Sequence, residues 1–384
     1  MEIVVLVCLS VLSILIGLSG VYMTMLEFVP IRWVYYMNRV RLPWAIIILL
    51  IAGGLTFYWS YHRYWLSCIA FVLTVLGVFL AYRLTQERMF AAVDFPEVEA
   101  VTTDGLLLDD SELAVIEYNG VTKCYPLDYV IHHHIINDQF GSKTVSLTYC
   151  AMCRSIIPFD VTDIGPLYVS SFKHANMIVS DRKTGTFYQQ ANFQSLIGKL
   201  HPSELMAIPF QIATWEEVKK MIKKPVMPVL KKEDLTPFEL PIKGLWKRIV
   251  ASELTPGLSS KNKDKTFPAR TQVIGIVDKV NNKSVVYLKQ AILAQGLVVN
   301  QTANFFLVAH QNNVIGFRWD HRKELALDLS ARYITAEGGA QRWDLNGKYQ
   351  SGEDKQDLEL IRLSDEYWFS WKRFHPTTEV IDLL

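Results

Sequence analysis

The sequence predicts N-terminal transmembrane helices followed by a soluble, mainly β (β-rich α+β) domain with an internal two-fold repeat. Three observations carry that expectation. The first 90 residues hold three long uncharged apolar runs. From Glu97 onward, short apolar runs alternate with Gly, Asn, Asp and Pro, the texture of strands and turns. The order of these runs in the first half of the soluble part recurs in the second.

The membrane anchor is expected over residues 1–90, with spans at about 3–22, 43–61 and 65–82. Each run comes close to the ~20 apolar residues that cross a bilayer, and Trp44, Trp59, Tyr61, Tyr64 and Trp65 stand at run ends, where amphipathic rings favour the headgroup layer. The first run has no positive n-region, since Glu2 precedes it, which favours an uncleaved helix over a signal peptide. The partner implied is the lipid bilayer, and the location a multi-pass cell-membrane protein. Arg32, Arg39 and Arg41 lie in the first loop, Arg63 in the second, and Arg83 and Arg88 after the third run. That distribution favours a cytoplasmic soluble domain by the positive-inside rule. Lys+Arg 39 against Asp+Glu 38 leaves no basic excess, so nucleic acid is not an expected partner.

A first β-rich lobe is expected over 97–230, a linker or excursion rich in Lys, Pro, Ser and Gly over 231–265, and a second, degenerate lobe over 266–384. Strands are read at Ala114–Tyr118, Val121–Tyr125, Thr144–Thr148 and Leu167–Phe172, with Asn119-Gly120 a type I′ hairpin turn between the first two. Thr214-Trp215-Glu216-Glu217 reads as a capping box that opens a helix. In the second lobe Val273–Val277, Asn281-Asn282 and Ser284–Leu288 repeat the hairpin, and Phe305–Ala309 repeats the run before the cysteine pair. Where the first lobe has its two cysteines, the second has Ala309-His310-Gln311-Asn312. One chemically competent lobe and one structural lobe are therefore expected.

The chemistry centres on Tyr149-Cys150-Ala151-Met152-Cys153-Arg154-Ser155. Two thiols three residues apart can address one point, as a soft metal ion or a dithiol/disulfide pair requires. As metal ligands, Cys150 and Cys153 would be joined by His133 or His174, a set suited to copper or zinc. As a redox pair they would draw on Arg154, whose charge favours thiolate. As packing residues they would close a strand exit. Cys8 and Cys68, in apolar segments, read as packing residues, and Cys124, in a strand-like run, as core. Of the run His132-His133-His134, successive side chains point apart, which limits how many share a ligand. Asn137 and Asp138 are candidate site residues or turn residues, Asp181 and Arg182 an ion pair or part of a turn closed by Gly185, and Asn176 and Gln190 further candidates.

Tyr125-Pro126-Leu127, His133, Asn137-Asp138, Thr148-Tyr149-Cys150-x-x-Cys153-Arg154-Ser155, Asp181-Arg182-x-Thr184-Gly185, Gln190 and the closing Trp371-x-x-Phe374-His375-Pro376-x-Thr378 occur together in an order that resembles the bacterial and archaeal domain-of-unknown-function family numbered 3179. The resemblance runs from about Asp109 to the C-terminus. It implies a domain identity and no settled activity, so enzyme status is left open. It also implies export or membrane attachment, against the charge rule. The chain departs from the family pattern at Ala151, His134, Ser170-Ser171, His174-Ala175 and Tyr188, close to the expected site. The functional expectation is a membrane-anchored protein binding copper or zinc through its Cys-x-x-Cys step. The alternatives are a thiol-disulfide redox protein and a non-catalytic tethered interaction domain with structural cysteines.

Overall fold

The computed structural model describes residues 2–383 apart from 60–63, 102–104, 237–243, 252–254, 256, 260, 262–263, 279–282, 320–323, 329–332 and 354. Tyr61, Arg63 and the expected Asn281-Asn282 turn lie outside the described residues, as do parts of the expected linker, whose Leu245–Ala251 segment is a helix. The chain forms two compact units, each drawn from three segments: Met1–Ala92, Leu167–Glu204 and Glu239–Asn262 make the first, and Val93–Pro166, Leu205–Phe238 and Lys263–Leu384 the second.

In the first unit, α1 (Glu2–Met25), α2 (Ile31–Tyr58) and α3 (Tyr64–Arg83) are long and apolar enough to cross a membrane. Small residues let α1 and α3 approach closely. The Ser10 hydroxyl donates to Ala70 O at 2.6 Å and that of Ser13 to Thr74 O at 3.0 Å. A methyl group on Gly77 would fall 2.2 Å from Ser13 Oγ. In hydrocarbon, where apolar burial gives helices no preference for each other over lipid, such contacts carry the association.

The sequence reading starts the second span at residue 43, but α2 has 28 residues and begins at Ile31. At 1.5 Å per residue it is about 42 Å long, well beyond the ~30 Å of hydrocarbon. Its first turns hold a sheet instead. The antiparallel strands Leu167–Lys173, Asn176–Asp181, Phe187–Gln189 and Ser195–Ile197 pair in sequence. Tyr35 of α2 packs with Ile178 and Phe187. Asn38 donates to Ser170 O at 2.9 Å, while the Arg39 guanidinium lies over the Tyr35 ring and donates to Gly185 O at 2.8 Å. Arg41 is buried and donates to Leu84 O at 3.2 Å. Residues 167–204 therefore fold with the helices, not with the strands that precede them in sequence. The charge rule, moreover, counts Arg39 and Arg41, two cations that have partners inside this unit.

The second unit is built of β-sheets. The Glu112–Tyr118 and Val121–Pro126 strands form the expected hairpin, with Asn119 and Gly120 at positive φ of 50° and 73°. Gln211–Thr214 pairs on its other side. A seven-residue helix, Leu127–His133, leads to the meander Ile135–Phe140, Lys143–Cys150 and Ser155–Asp160. The later part of the unit has a hairpin (Gln272–Asp278, Lys283–Leu288), a seven-residue helix (Lys289–Gln295) and a meander (Leu297–Asn300, Phe305–His310, Asn313–Arg318). Ser364–Tyr367 pairs with Gln272–Gly275 and leads into the Trp368–Phe374 helix. A further four-stranded sheet spans Leu325–Ser351.

Strand alternation positions the cysteine turn. Side chains two apart share a face. Val145 and Leu147 enter the apolar cluster around Tyr125, Phe140 and Ile156, and Tyr149 packs against it. Ser146, Thr148 and Cys150 occupy the opposite face, where Ser146 bonds Asn137 and Thr148 donates to Ile157 O at 2.8 Å.

Candidate functional site

Cys150 is the last residue of its strand and pairs in register with Ser155, so residues 151–154 make the whole reversal. Arg154 takes a positive φ of 59° to close it. Both sulfurs are fully buried, at 0% exposure. Cys153 Sγ lies 3.2 Å from Ser155 Oγ and 3.7 Å from Cys150 O.

The later half of the chain completes this turn. Tyr367 N–H donates to Cys153 O at 2.9 Å. The carboxyl of the adjacent Glu366 is 1% exposed; its Oε1 accepts from Ser364 Oγ at 2.6 Å, and its Oε2 has no hydrogen-bond partner. Burial pushes the Glu366 carboxyl up to about 8, and the negative charge of a Cys153 thiolate, then that of Asp365, would raise it further; the Ser364 and Ser370 hydroxyls act the other way. At neutral pH Glu366 is thus mainly a neutral acid beside a thiol. Asp365 points differently: it accepts from Arg154 at 3.1 Å and from Lys289 at 2.6 Å. Arg154 also donates to Gln272 at 3.0 Å. The arginine expected to favour thiolate is therefore held by a carboxylate and an amide.

A cavity of about 550 Å³ adjoins the turn, with Tyr149, Arg154, Ile156 and Asp365 in its wall beside Asp128 and Leu127. Cys150, Cys153 and Glu366, the chain neighbours of Tyr149, Arg154 and Asp365, are buried and do not line the cavity. Its size is that of small-molecule sites, roughly 300–1,000 Å³. Burial also pushes the Tyr149 phenol well up.

The other candidates have structural partners. His133 Nε2 is 3.2 Å from Asp234 Oδ1, and burial and His132 hold its imidazole below the usual range against that carboxylate. His134, fully buried at the helix end with φ of 64°, is pushed down to about 4 by burial, and its carbonyl accepts Tyr149 N–H at 2.7 Å. Asn137 and Asp138 lie within a strand, not in a turn. Asn137 donates to Asp94 at 2.6 Å, while Asp138 accepts from Lys123 at 2.8 Å and Tyr125 at 2.7 Å.

His174, Asn176, Asp181, Arg182 and Gln190 belong to the first unit. His174 and Ala175 form a hairpin turn at φ of 52° and 57°, with His174 Nδ1 3.7 Å from Glu27. Asn176 accepts from Gln189 at 2.6 Å and donates to Gln190 at 3.2 Å. Asp181 does form the expected turn: it accepts from Thr184 Oγ1 at 2.7 Å and Thr186 N at 2.9 Å, with Gly185 at φ of 67°. Its expected partner Arg182 pairs instead with Glu87, at 2.6 Å.

The set expected for copper or zinc is two thiolates with one or two imidazoles. His133 is engaged by Asp234, and among the described residues no group of three or more His, Cys, Asp and Glu is placed to hold a metal ion. Sequence reasoning misses Glu366 and Asp365. Their sequence sign is slight: Tyr367-Trp368 echoes Thr214-Trp215, and an acid just before that echo gives no reason to join it to a turn more than 200 residues earlier.

A family model described as protein of unknown function (DUF3179) matches residues 89–378. The chain belongs to the DUF3179 family. The matched region takes in the whole DUF3179 cysteine turn, the cavity wall and the strand bearing Glu366. No curated protein and no solved structure matches the chain.

Proposed function

We propose that this DUF3179 protein is a membrane-anchored thiol-disulfide redox protein, with Cys150 and Cys153 as its exchanging pair. One observation carries the reading: two thiols at one chain reversal, Cys150 at its start and Cys153 within it, stand with a buried, proton-holding carboxyl, and their chain neighbours line a cavity. Perturbed acids gathered with a nucleophile at a cleft are a common mark of a working site. Enclosure keeps the pair from random oxidation, and a partner would reach the sulfurs by opening the turn between Cys150 and Ser155.

The balance of the exchange is simple. A Cys153 or Cys150 thiolate attacks a partner disulfide, one partner sulfur leaves and takes a proton, and the second cysteine then displaces the other partner sulfur. The pair loses two electrons and the partner gains them.

The recurring element order supports reading the later half as a degenerate copy. Tyr149 N–H bonds to His134 O and Ala309 N–H to Gly296 O, both at 2.7 Å after a seven-residue helix, which makes His310 the counterpart of Cys150 in the later half. The later copy lacks thiols but lends Glu366 to the first, so it is more than a structural lobe.

The test uses the full chain in detergent, reduced, then treated with a small aromatic disulfide. The wild type should release two thiol equivalents and end as a Cys150–Cys153 disulfide, whereas Cys150→Ser or Cys153→Ser should stop at a stable mixed disulfide. No reaction by either cysteine in the folded protein would overturn the reading and leave the cysteines as packing residues. One bound zinc or copper per chain, lost in Cys150→Ser, would replace it with a metal centre.

A further inference from the structure

We propose that Glu366 is the proton partner of Cys153, accepting the thiol proton when the sulfur becomes a nucleophile and returning it when the sulfur leaves. The proposal rests on the thiol reading above and adds a residue that no cysteine motif contains.

Geometry supports it in three ways. The Tyr367-to-Cys153 backbone bond fixes the Glu366 strand against the turn. The Glu366 side chain is 1% exposed, so bulk water does not serve it as a proton reservoir. One carboxyl oxygen is held by Ser364 and the Ser370 hydroxyl also bears on the carboxyl, while Oε2 makes no hydrogen bond, to the Cys153 thiol included, so the proton passes after a turn of the side chain or through one water. The negative charges that raise the Glu366 carboxyl are those of Cys153 in the turn and Asp365 on its own strand. Arg154 and Lys289 pair with Asp365, while Arg270 donates to Met152 O at 3.5 Å and lies over the Tyr367 ring.

The step is balanced. With Glu366 ionised, the Cys153 S–H proton passes to the carboxylate, the thiolate attacks a partner disulfide, that S–S bond breaks, and the departing partner sulfur takes a proton from solvent. In reverse, a partner thiolate attacks the Cys150–Cys153 disulfide, and the neutral Glu366 acid protonates Cys153 as it leaves. An ammonium or guanidinium here would fix the thiolate permanently, whereas a buried acid lets the sulfur alternate between both states.

The experiment measures the rate at which methyl methanethiosulfonate modifies Cys153, read by peptide mass, in full-length Cys150→Ala across pH 6–10. Three versions are compared: one that keeps Glu366, one with Glu366→Gln and one with Glu366→Asp. Glu366→Gln keeps the shape and neutrality of the resting acid, so its fold should survive. The expected result is an inflection near the carboxyl value of about 8 that vanishes in Glu366→Gln, a rate at least tenfold lower there at pH 8, and partial recovery in Glu366→Asp. A redox-difference infrared spectrum of the Cys150/Cys153 protein should also show a protonated-carboxyl band that Glu366→Gln removes. Profiles equal within twofold, with no such band, would overturn the proton role while leaving reversible disulfide formation, and hence the thiol reading, standing. Failure of the pair to oxidise at all would remove both.

Discussion

The backbone N–H of Tyr367 donates to the carbonyl oxygen of Cys153 across 2.9 Å, joining a strand near the C-terminus to the turn that carries both thiols. Through that bond the later half of the chain delivers Glu366 to the cysteine pair. The link gives the site a stability signature as well as a chemical one. Glu366 holds its proton to about 8 when folded and to the ordinary carboxyl range, about 4.3, when unfolded. Between those values the folded state binds more protons than the unfolded one, so its contribution to stability is full below the lower value, falls as pH rises, and is lost above the upper one. Glu366→Gln should flatten that part of the pH–stability curve and gain on the wild type toward pH 9, as read by thermal melts of the two proteins side by side.

Glu217 supplies the opposite sign. Burial pushes its carboxyl up, but the bond from His310, the Thr214 N–H at 3.0 Å and the His310 charge outweigh burial and hold it at about 2. Its stabilisation is therefore present above the ordinary carboxyl range and is lost as pH falls toward 2. His310→Gln should weaken the folded state by about 1–3 kcal/mol at pH 7, the range for disturbing a buried hydrogen-bonded group, and should reduce the loss on acidification. Denaturant midpoints at pH 7 and pH 3 would check both.

Lys123 and Asp138 are both buried and pair at 2.8 Å, with Tyr125 adding a 2.7 Å bond. Lys123→Met leaves the aspartate charged, buried and short of its cation, a loss of about 3–5 kcal/mol. The double change Lys123→Met/Asp138→Leu should recover much of it, because a matched apolar pair removes the desolvation cost as well as the attraction. Equal instability of single and double variants in urea would contradict this.

Gly275 sits in a strand with ordinary backbone angles, so its role is space. A methyl group there would lie 2.3 Å from the Trp371 ring, whose Nε1–H donates to Thr378 at 3.0 Å. Gly275→Ala should cost about 1–3 kcal/mol by overpacking and change the near-ultraviolet circular dichroism of Trp371, with the far-ultraviolet spectrum kept.

The fold class is legible in the sequence because membrane length and strand alternation are local signals. Asn119-Gly120 marks its hairpin, Asp181 to Gly185 its turn, and Thr214 to Glu217 its helix start, each through a side chain or a φ preference that acts within five residues. What does not show is long-range. Nothing near Tyr35 announces that the α2 extension packs on Ile178 and Phe187, so the sequence reads as one continuous first lobe where residues 167–204 in fact leave it for the helices. A fragment beginning at Glu97 would strip that sheet of its support and should fold poorly. Asn137 and Asp138 resemble turn residues until their partners Asp94, Lys123 and Tyr125 are brought across neighbouring strands. Spacing alone finds the cysteine pair, while the acid beside it requires the tertiary fold.

The most direct test of the thiol account is an equilibrium titration of the full-length protein in detergent against glutathione redox buffers, with free thiols trapped and Cys150 and Cys153 read by peptide mass. The account predicts that both sulfurs oxidise together in one reversible two-electron transition while the protein stays folded. Sulfurs that stay reduced in the folded protein at every buffer ratio and oxidise only on unfolding would contradict it.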